Sequence, residues 1–401
     1  LSDAATGREL GETPALHSRQ LTRFHPLPDG RVATASDDNT LRLWGPIAWP
    51  TGLRTLPVAA GTEQIAFSPD RELMVVARPT TPPTQQSSYS QRMAFAVHDA
   101  RTGRELRSWE EDVGPYHPIP SAGGRFITLG HASPFTIDKA TGKLRGQAIK
   151  VRDLATGELV SERYSGELGL LVFMNHDGLH ERDGKVLYAG HYPDSANPQG
   201  VAVWDLLAVK EVARLTGPDL VEKQRVFALT PDGRFLLSAP FGQAPGGKCV
   251  VWDVAAGKTV GEILLKGPHF TQWFSVAPDS RRVVSFVQTG EAREASEYQV
   301  YDLPTGALRR RLPGRGTSET KAFSPDGRYL AIADVAAGVR VYDLDTGGEV
   351  FRWHQSDAGP VRQLRFTPSG GLAVLPRSGT AVRILDLDAV RRQLGSHGLG
   401  W

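Results

Sequence analysis

The sequence is poor in sulfur: its 401 residues include one cysteine, Cys249, and three methionines. A single thiol excludes an internal disulfide and every CxxC metal or redox motif, and it fits a reducing compartment, so a cytoplasmic location is expected. Long hydrophobic runs are missing too, none approaching the roughly 18 residues that span a bilayer. Neither charge sign dominates, with 46 Lys and Arg against 44 Asp and Glu. The resulting +2 creates no net field to recruit nucleic acid or an anionic membrane. The opening LSDAATGREL lacks the charged and apolar regions of a secretory leader. With Leu1 first, the chain is expected to be an excised or processed part of something longer. Catalytic signatures are also missing: there is no GxSxG, HExxH, Walker A loop, EF-hand loop or GxGxxG after a strand.

What is present is repetition. A bulky residue followed by Asp and then a Thr-Gly or Ala-Gly turn returns along the chain. His98-Asp99 precedes Thr102-Gly103, Arg152-Asp153 precedes Thr156-Gly157, and Trp252-Asp253 precedes Ala256-Gly257. Tyr301-Asp302 and Tyr342-Asp343 precede Thr305-Gly306 and Thr346-Gly347. Trp204-Asp205 and Leu385-Asp386 keep the pair without the turn, and Trp44 is followed by Gly45. These are eight stations, roughly 40 to 55 residues apart, the period of propeller blades.

Upstream of the stations, short alternating strands end in Pro-Asp-Gly-like turns, as in FALTPDG ending at Gly233 and AFSPDG ending at Gly327. Pro presets φ at the first turn position and Asp-Gly tolerates the tight reversal, which is hairpin chemistry. β-Branched and aliphatic runs such as RFLLSA follow. Each unit therefore supplies four short antiparallel strands. One such sheet cannot bury both of its faces, so the units must stack, and radial stacking gives a propeller. The expected fold is all-β: an eight-bladed β-propeller of four-stranded antiparallel blades.

These units resemble WD40 repeats, most strongly in FHPLPDGRVATASDDNTLRLWG, residues 24–45. The resemblance carries the family's structural tetrad onto His17, Thr34, Asp38 and Trp44, which would hydrogen-bond across the blade and buttress it. Other units depart from the pattern, with His98, Arg152 or Leu385 in the aromatic's place. The whole is similar to WD40 regions of large bacterial signalling proteins, often linked to serine/threonine kinase or ATPase domains, and implies a monomeric domain of a larger protein.

A ring needs a fastener, otherwise its first and last blades expose strand edges. The ending DLDAVRRQL spaces Leu387, Val390 and Leu394 at i, i+3 and i+7 behind an Asp, with Gly395 as a stop, and so predicts a helix. The last blade then lacks its fourth strand, and residues 8–12 are expected to supply it. Residues 1–386 would form the propeller and 387–401 a C-terminal helical tail packed on it.

Chemistry is sparse. His131 and His191 fall at similar places in adjacent units and are weak metal candidates without a visible third ligand, so neither metal nor cofactor is expected. The run Arg309–Arg311 lacks aromatic partners and argues little for nucleic acid. The informative feature is the loop between second and third strands, expanded in units two to six over 78–92, 130–147, 190–200, 239–248 and 287–297. These loops leave one face of a propeller, and such insertions often mark a binding face. They carry Tyr89, Phe135, Tyr192 and Phe241 beside Arg78, Arg92 and Arg293, residue types that dominate interface hot spots. The expected function is a non-catalytic protein- or peptide-binding scaffold or sensor, with no nucleic-acid or membrane partner. The alternative is an enzymatic propeller, lactonase- or quinoprotein-like, which would gather carboxylates, His or a metal at the channel mouth.

Overall fold

The computed structural model describes residues 21–26, 32–36, 41–44, 53–68, 72–80, 91–113, 119–120, 125–137, 144–164, 179–182, 185–192, 200–217, 224–240, 248–264, 269–288, 296–314, 320–333, 338–354 and 360–396. β1 (Leu21–Pro26), β2 (Val32–Ser36) and β3 (Leu41–Trp44) pair only with one another, in a three-stranded antiparallel sheet. β4 (Leu53–Pro57), the next strand along the chain, does not join them.

Seven four-stranded antiparallel sheets follow. Blade one holds β5 (Gln64–Phe67), β6 (Leu73–Pro79), β7 (Gln91–Asp99) and β8 (Glu105–Val113). Blade two holds β9 (Ile119–Pro120), β10 (Phe126–Ile137), β11 (Leu144–Asp153) and β12 (Leu159–Tyr164). Blade three holds β13 (Leu179–Arg182), β14 (Lys185–Tyr192), β15 (Gly200–Asp205) and β16 (Lys210–Thr216). Blade four holds β17 (Gln224–Leu229), β18 (Phe235–Pro240), β19 (Lys248–Asp253) and β20 (Lys258–Leu264). Blade five holds β21 (His269–Val276), β22 (Arg282–Gln288), β23 (Ser296–Asp302) and β24 (Ala307–Gly314). Blade six holds β25 (Lys321–Phe323), β26 (Tyr329–Ala333), β27 (Gly338–Asp343) and β28 (Glu349–His354). Blade seven takes β29 (Val361–Phe366), β30 (Leu372–Pro376) and β31 (Ala381–Leu385) from the end of the chain. Its fourth strand is β4, paired antiparallel with β31 from Ala381↔Pro57 to Leu385↔Leu53.

The ring thus has seven blades, not eight, and its fastener is Leu53–Pro57 rather than residues 8–12, which lie outside the described residues. Sequence units two to eight are blades one to seven. The unit with the strongest repeat signature, the first, stands apart as β1–β3. The buried side chains of the described residues confirm the count, because they divide into seven clusters, one per blade interface. Val75, Phe95 and Val97 of blade one meet Ile127 and Leu154 of blade two. The last cluster joins Ala373, Val382 and Leu56 of blade seven to Ile65 and Met74 of blade one. Each sheet is covered on both faces, which is why the second strands are largely apolar, as in LAVLP of β30 and YLAIA of β26. In β18, Leu236 packs toward blade three, whereas Phe235, Leu237 and Ala239 pack toward blade five. Packing is tight enough that a Cβ on Gly261 of β20 would lie 2.0 Å from the Pro304 carbonyl oxygen of blade five.

The C-terminal helix forms as α1 (Leu387–Ser396), one residue past the expected stop. Asp386 caps it, its Oδ1 accepting the Ala389 N–H at 2.8 Å. Leu387 and Val390 are buried in the wedge between blades six and seven, while the Leu394 side chain lies outside the described residues.

Candidate functional site

Antiparallel blades give a propeller two unlike faces. One, the turn face, collects the first-to-second and third-to-fourth strand turns. The other, the loop face, collects the second-to-third strand connections and the crossovers between blades. Among the described residues of the seven blades, the motif Asp and turn Gly residues fall on the turn face, and their work is structural. The carboxylate of Asp153 accepts from the Ala155 and Thr156 N–H groups at 2.7 and 3.1 Å, and Asp343 accepts from Asp345 and Thr346 at 2.8 and 3.1 Å. Each caps a turn whose fifth residue is a left-handed glycine, Gly157 (φ 77°) or Gly347 (φ 78°). Asp205 caps the same turn through Leu207 and Ala208. There Val209 takes the left-handed place at φ 53°. The sequence hides that turn because a β-branched residue replaces the glycine.

The second carboxylate oxygen is held by an arginine at the start of the second strand. Arg125 reaches Asp153 at 2.9 Å, and Arg328 reaches Asp343 at 2.8 Å. The same guanidinium groups lie over Phe126 and Tyr329, 4.9 and 5.0 Å from the ring centres. Burial works to raise the Asp343 pKa, but the Arg328 hydrogen bond and two backbone N–H groups outweigh it and hold the carboxyl below its ordinary value. A lowered folded-state pKa gives stability that is present above the unfolded value, near 3.9, and lost as pH falls through the folded one. Asp343→Asn should therefore cost about 1.5–3 kcal/mol at pH 7. In urea denaturation the gap from wild type should shrink below about pH 4; a gap independent of pH would refute the ionic clamp.

Two further clusters were illegible in sequence. Arg152, which stands where other units have an aromatic, makes an inter-blade ion cluster. The buried Glu111 of β8 accepts Lys150 Nζ and Arg152 Nε, each at 2.8 Å. Arg152 also donates to the Gly157 carbonyl at 3.0 Å and lies 5.9 Å from the Trp109 ring centre. Arg309–Arg311 form a clamp between blades five and six. Asp345 meets Arg282 at 2.6 Å and Arg309 at 3.3 Å, and its carbonyl accepts Arg310 at 2.9 Å. Arg311 pairs with Glu297. A basic run spent on carboxylates and a backbone carbonyl of its own fold is not a free anion-binding surface.

Of the predicted tetrad, His17 and Asp38 lie outside the described residues. Thr34 sits on β2 opposite Arg42, and Trp44 on β3 opposite Val32. A buried tryptophan bond of the same kind occurs in blade four, where Trp252 Nε1 donates to Ser238 Oγ at 3.0 Å. The two candidate histidines lie within strands rather than after them. His131 is five residues beyond the partner of Asp153, and His191 four beyond the partner of Asp205. Side chains alternate along a strand, so these register positions are not equivalent and do not build one site. Among the described residues no three His, Cys, Asp or Glu side chains gather as a metal set. Cys249 is fully buried, and burial pushes its thiol far above the ordinary range.

The second-to-third strand connections differ in length from blade to blade. The second-to-third strand connections run over 80–90, 193–199, 241–247 and 289–295 in blades one, three, four and five, against 334–337 and 377–380 in blades six and seven. In blade two the expected loop at 130–147 is mostly strand. β10 and β11 pair out to Ile137↔Leu144, whereas β12 ends opposite Ala148, so a hairpin bearing Phe135 projects from the blade. Tyr192 ends β14 on the same face. Arg78 lies near the end of β6, and Arg92 on β7 pairs with Glu110 at 3.3 Å and Asp112 at 3.5 Å. Tyr89, Phe241 and Arg293 lie outside the described residues. No helix of the described residues is long and apolar enough to cross a membrane.

Comparison with known proteins agrees with this architecture. Residues 15–45 match the WD40 family, described as WD domain, G-beta repeat. Among solved structures, hydrazine synthase of Kuenenia stuttgartiensis is similar with a TM-score of 0.54 at 17% identity, over 81% of this chain and 96% of that one. At that identity the likeness is one of fold alone.

Proposed function

We propose that this WD40-repeat propeller is a non-catalytic platform that binds a protein or peptide on its loop face. WD40 propellers are commonly protein-interaction scaffolds. The observation that carries the finer reading is the set of longer second-to-third strand connections in blades one, three, four and five, together with the projecting hairpin of blade two. The turn face, by contrast, spends its charged motif residues on its own turns and neighbours. Phe135 and Tyr192 are the anchors proposed on described backbone, and Tyr89 and Phe241 the others. Alanine at true anchors should weaken a partner's binding by ~2 kcal/mol or more, about thirtyfold, with the fold unchanged. Lys210→Ala and Lys258→Ala, exposed on the turn face, should be silent. Titration of a recovered partner by calorimetry distinguishes the two. Affinity that followed the lysines and ignored all four aromatics would place the site on the opposite face.

A further inference from the structure

The fastening strand leaves a trench. β4 has five residues, against nine in β8 of the blade it faces. Between them, where the chain leaves β4 at Pro57, Val58 and Ala59, an open groove of about 450 Å³ runs over one face of blade one. Cross-strand register orders that face in rows. Arg78, Ala94 and Glu110 form the groove's row toward the loop face, one step inside the paired Arg92 and Asp112. Val76, Ala96 and Ser108 form the middle row, and Met74, His98 and Glu105 the row nearest the turn face. The floor is therefore small and apolar, while its ends are charged and opposite in sign.

Those end charges are unspent. Arg92 neutralises Glu110, but among the described residues neither Arg78 nor Glu105 has an ion-pair or side-chain hydrogen-bond partner. Their rows are set by Ala94 and His98, four residues apart, about 13 Å along the strands, and because β7 lies between β6 and β8 they are also offset by about 10 Å across the sheet. In an extended peptide crossing β7 diagonally, residues i and i+4 share one face about 13 Å apart, with i+2 between them, and the reach of the long Arg78 and Glu105 side chains covers the rest of the roughly 16 Å diagonal. His98 is fixed beneath: its Nδ1 lies 3.1 Å from the Gly103 carbonyl. A carbonyl only accepts, so Nδ1 carries a proton.

We propose that this trench docks an extended peptide segment bearing an acidic side chain at one position and a basic one four residues away. The acid meets Arg78, the base meets Glu105, and a small apolar residue between them lies on Ala94 and Ala96. The trench rests on the reading of the propeller as a peptide-binding platform and names the chemistry of one segment it takes. Its test uses defined peptides and none of the loop aromatics, so either proposal can fail alone.

The test is fluorescence polarisation on the full chain at about 20 mM salt, where exposed charges are weakly screened. Three labelled heptapeptides serve as probes, alike except at two positions four apart around a central Val: Asp with Lys, Asp with Asp, and Lys with Lys. Wild-type protein should prefer the mixed peptide by about tenfold. Arg78→Glu should turn the preference to the doubly basic probe, and Glu105→Lys to the doubly acidic one. Ala94→Leu, which fills the floor with both charges in place, should abolish binding of all three. Thermal denaturation checks that each variant is folded, as expected for side chains without structural partners. No binding of the mixed peptide at millimolar concentration, or a ranking unmoved by the two charge reversals, overturns the proposal.

Discussion

Removing residues 1–50 should leave the seven-bladed ring cooperatively folded, whereas removing residues 1–58 should open it. The first truncation deletes β1–β3, which share no sheet with the ring. The second deletes β4 and with it five paired positions on β31 and the buried Leu56 side chain. Loss of Leu56 alone is a large-to-small change of about 2–5 kcal/mol. The pairing of β31 goes as well, and its freed edge becomes a template for intermolecular association. Thermal unfolding and size-exclusion chromatography report both effects: a monomer with a sharp transition for the first protein, early melting and aggregation for the second. If the shorter truncation already destroyed the transition, β1–β3 would be part of the ring's stability. If the longer one kept it, β4 would not be the fastener.

Glu111→Ala should be the most damaging single change in the ion networks, by about 3–5 kcal/mol. Its side chain is 6% exposed and lies against Lys150 and Arg152, themselves 18% and 19% exposed. Truncation leaves two cations packed between blades one and two without their counterion. Burial alone would raise the Glu111 pKa, but hydrogen bonds from Arg152 and then Lys150 outweigh it and keep the group ionised below the ordinary carboxylate range. Its contribution is thus present above the unfolded value, near pH 4.3, and lost on acidification through the folded one. Arg92→Ala is the control. Arg92 pairs with Glu110 and Asp112 at about half exposure on all three side chains, and exposed pairs contribute about 0–1 kcal/mol. Denaturation midpoints that fell equally for the two variants would show that Glu111 is not a buried counterion.

Much of the local structure was legible, because turns and strands answer to nearest neighbours. Asp followed four residues later by Gly gave away the turns at Gly103, Gly157, Gly257, Gly306 and Gly347, all of which take positive φ. The helix after Asp386 followed from its apolar spacing and its cap. The limits were equally physical. Val209 conceals a turn that its neighbours hold in shape. The stretch 130–147 reads as a loop because its Gly and Pro content says so, yet β10 and β11 continue through most of it. Arg152 reads as a lost aromatic until Glu111, forty-one residues earlier, comes beside it.

By itself, then, the sequence determined that the chain is a repeat array of short antiparallel strands joined by Asp-to-Gly turns. These are properties of each unit, set by backbone preference and by a two-sided apolar pattern that forces stacking. Which units close on one another is a different matter. The number of blades and the identity of the fastener depend on where β31 finds an unpaired edge, and every repeat offers a similar edge. The first unit carries the strongest signature and is nonetheless outside the ring. Only the tertiary structure could decide that, because closure is a property of seven interfaces meeting at once and is written in no single repeat.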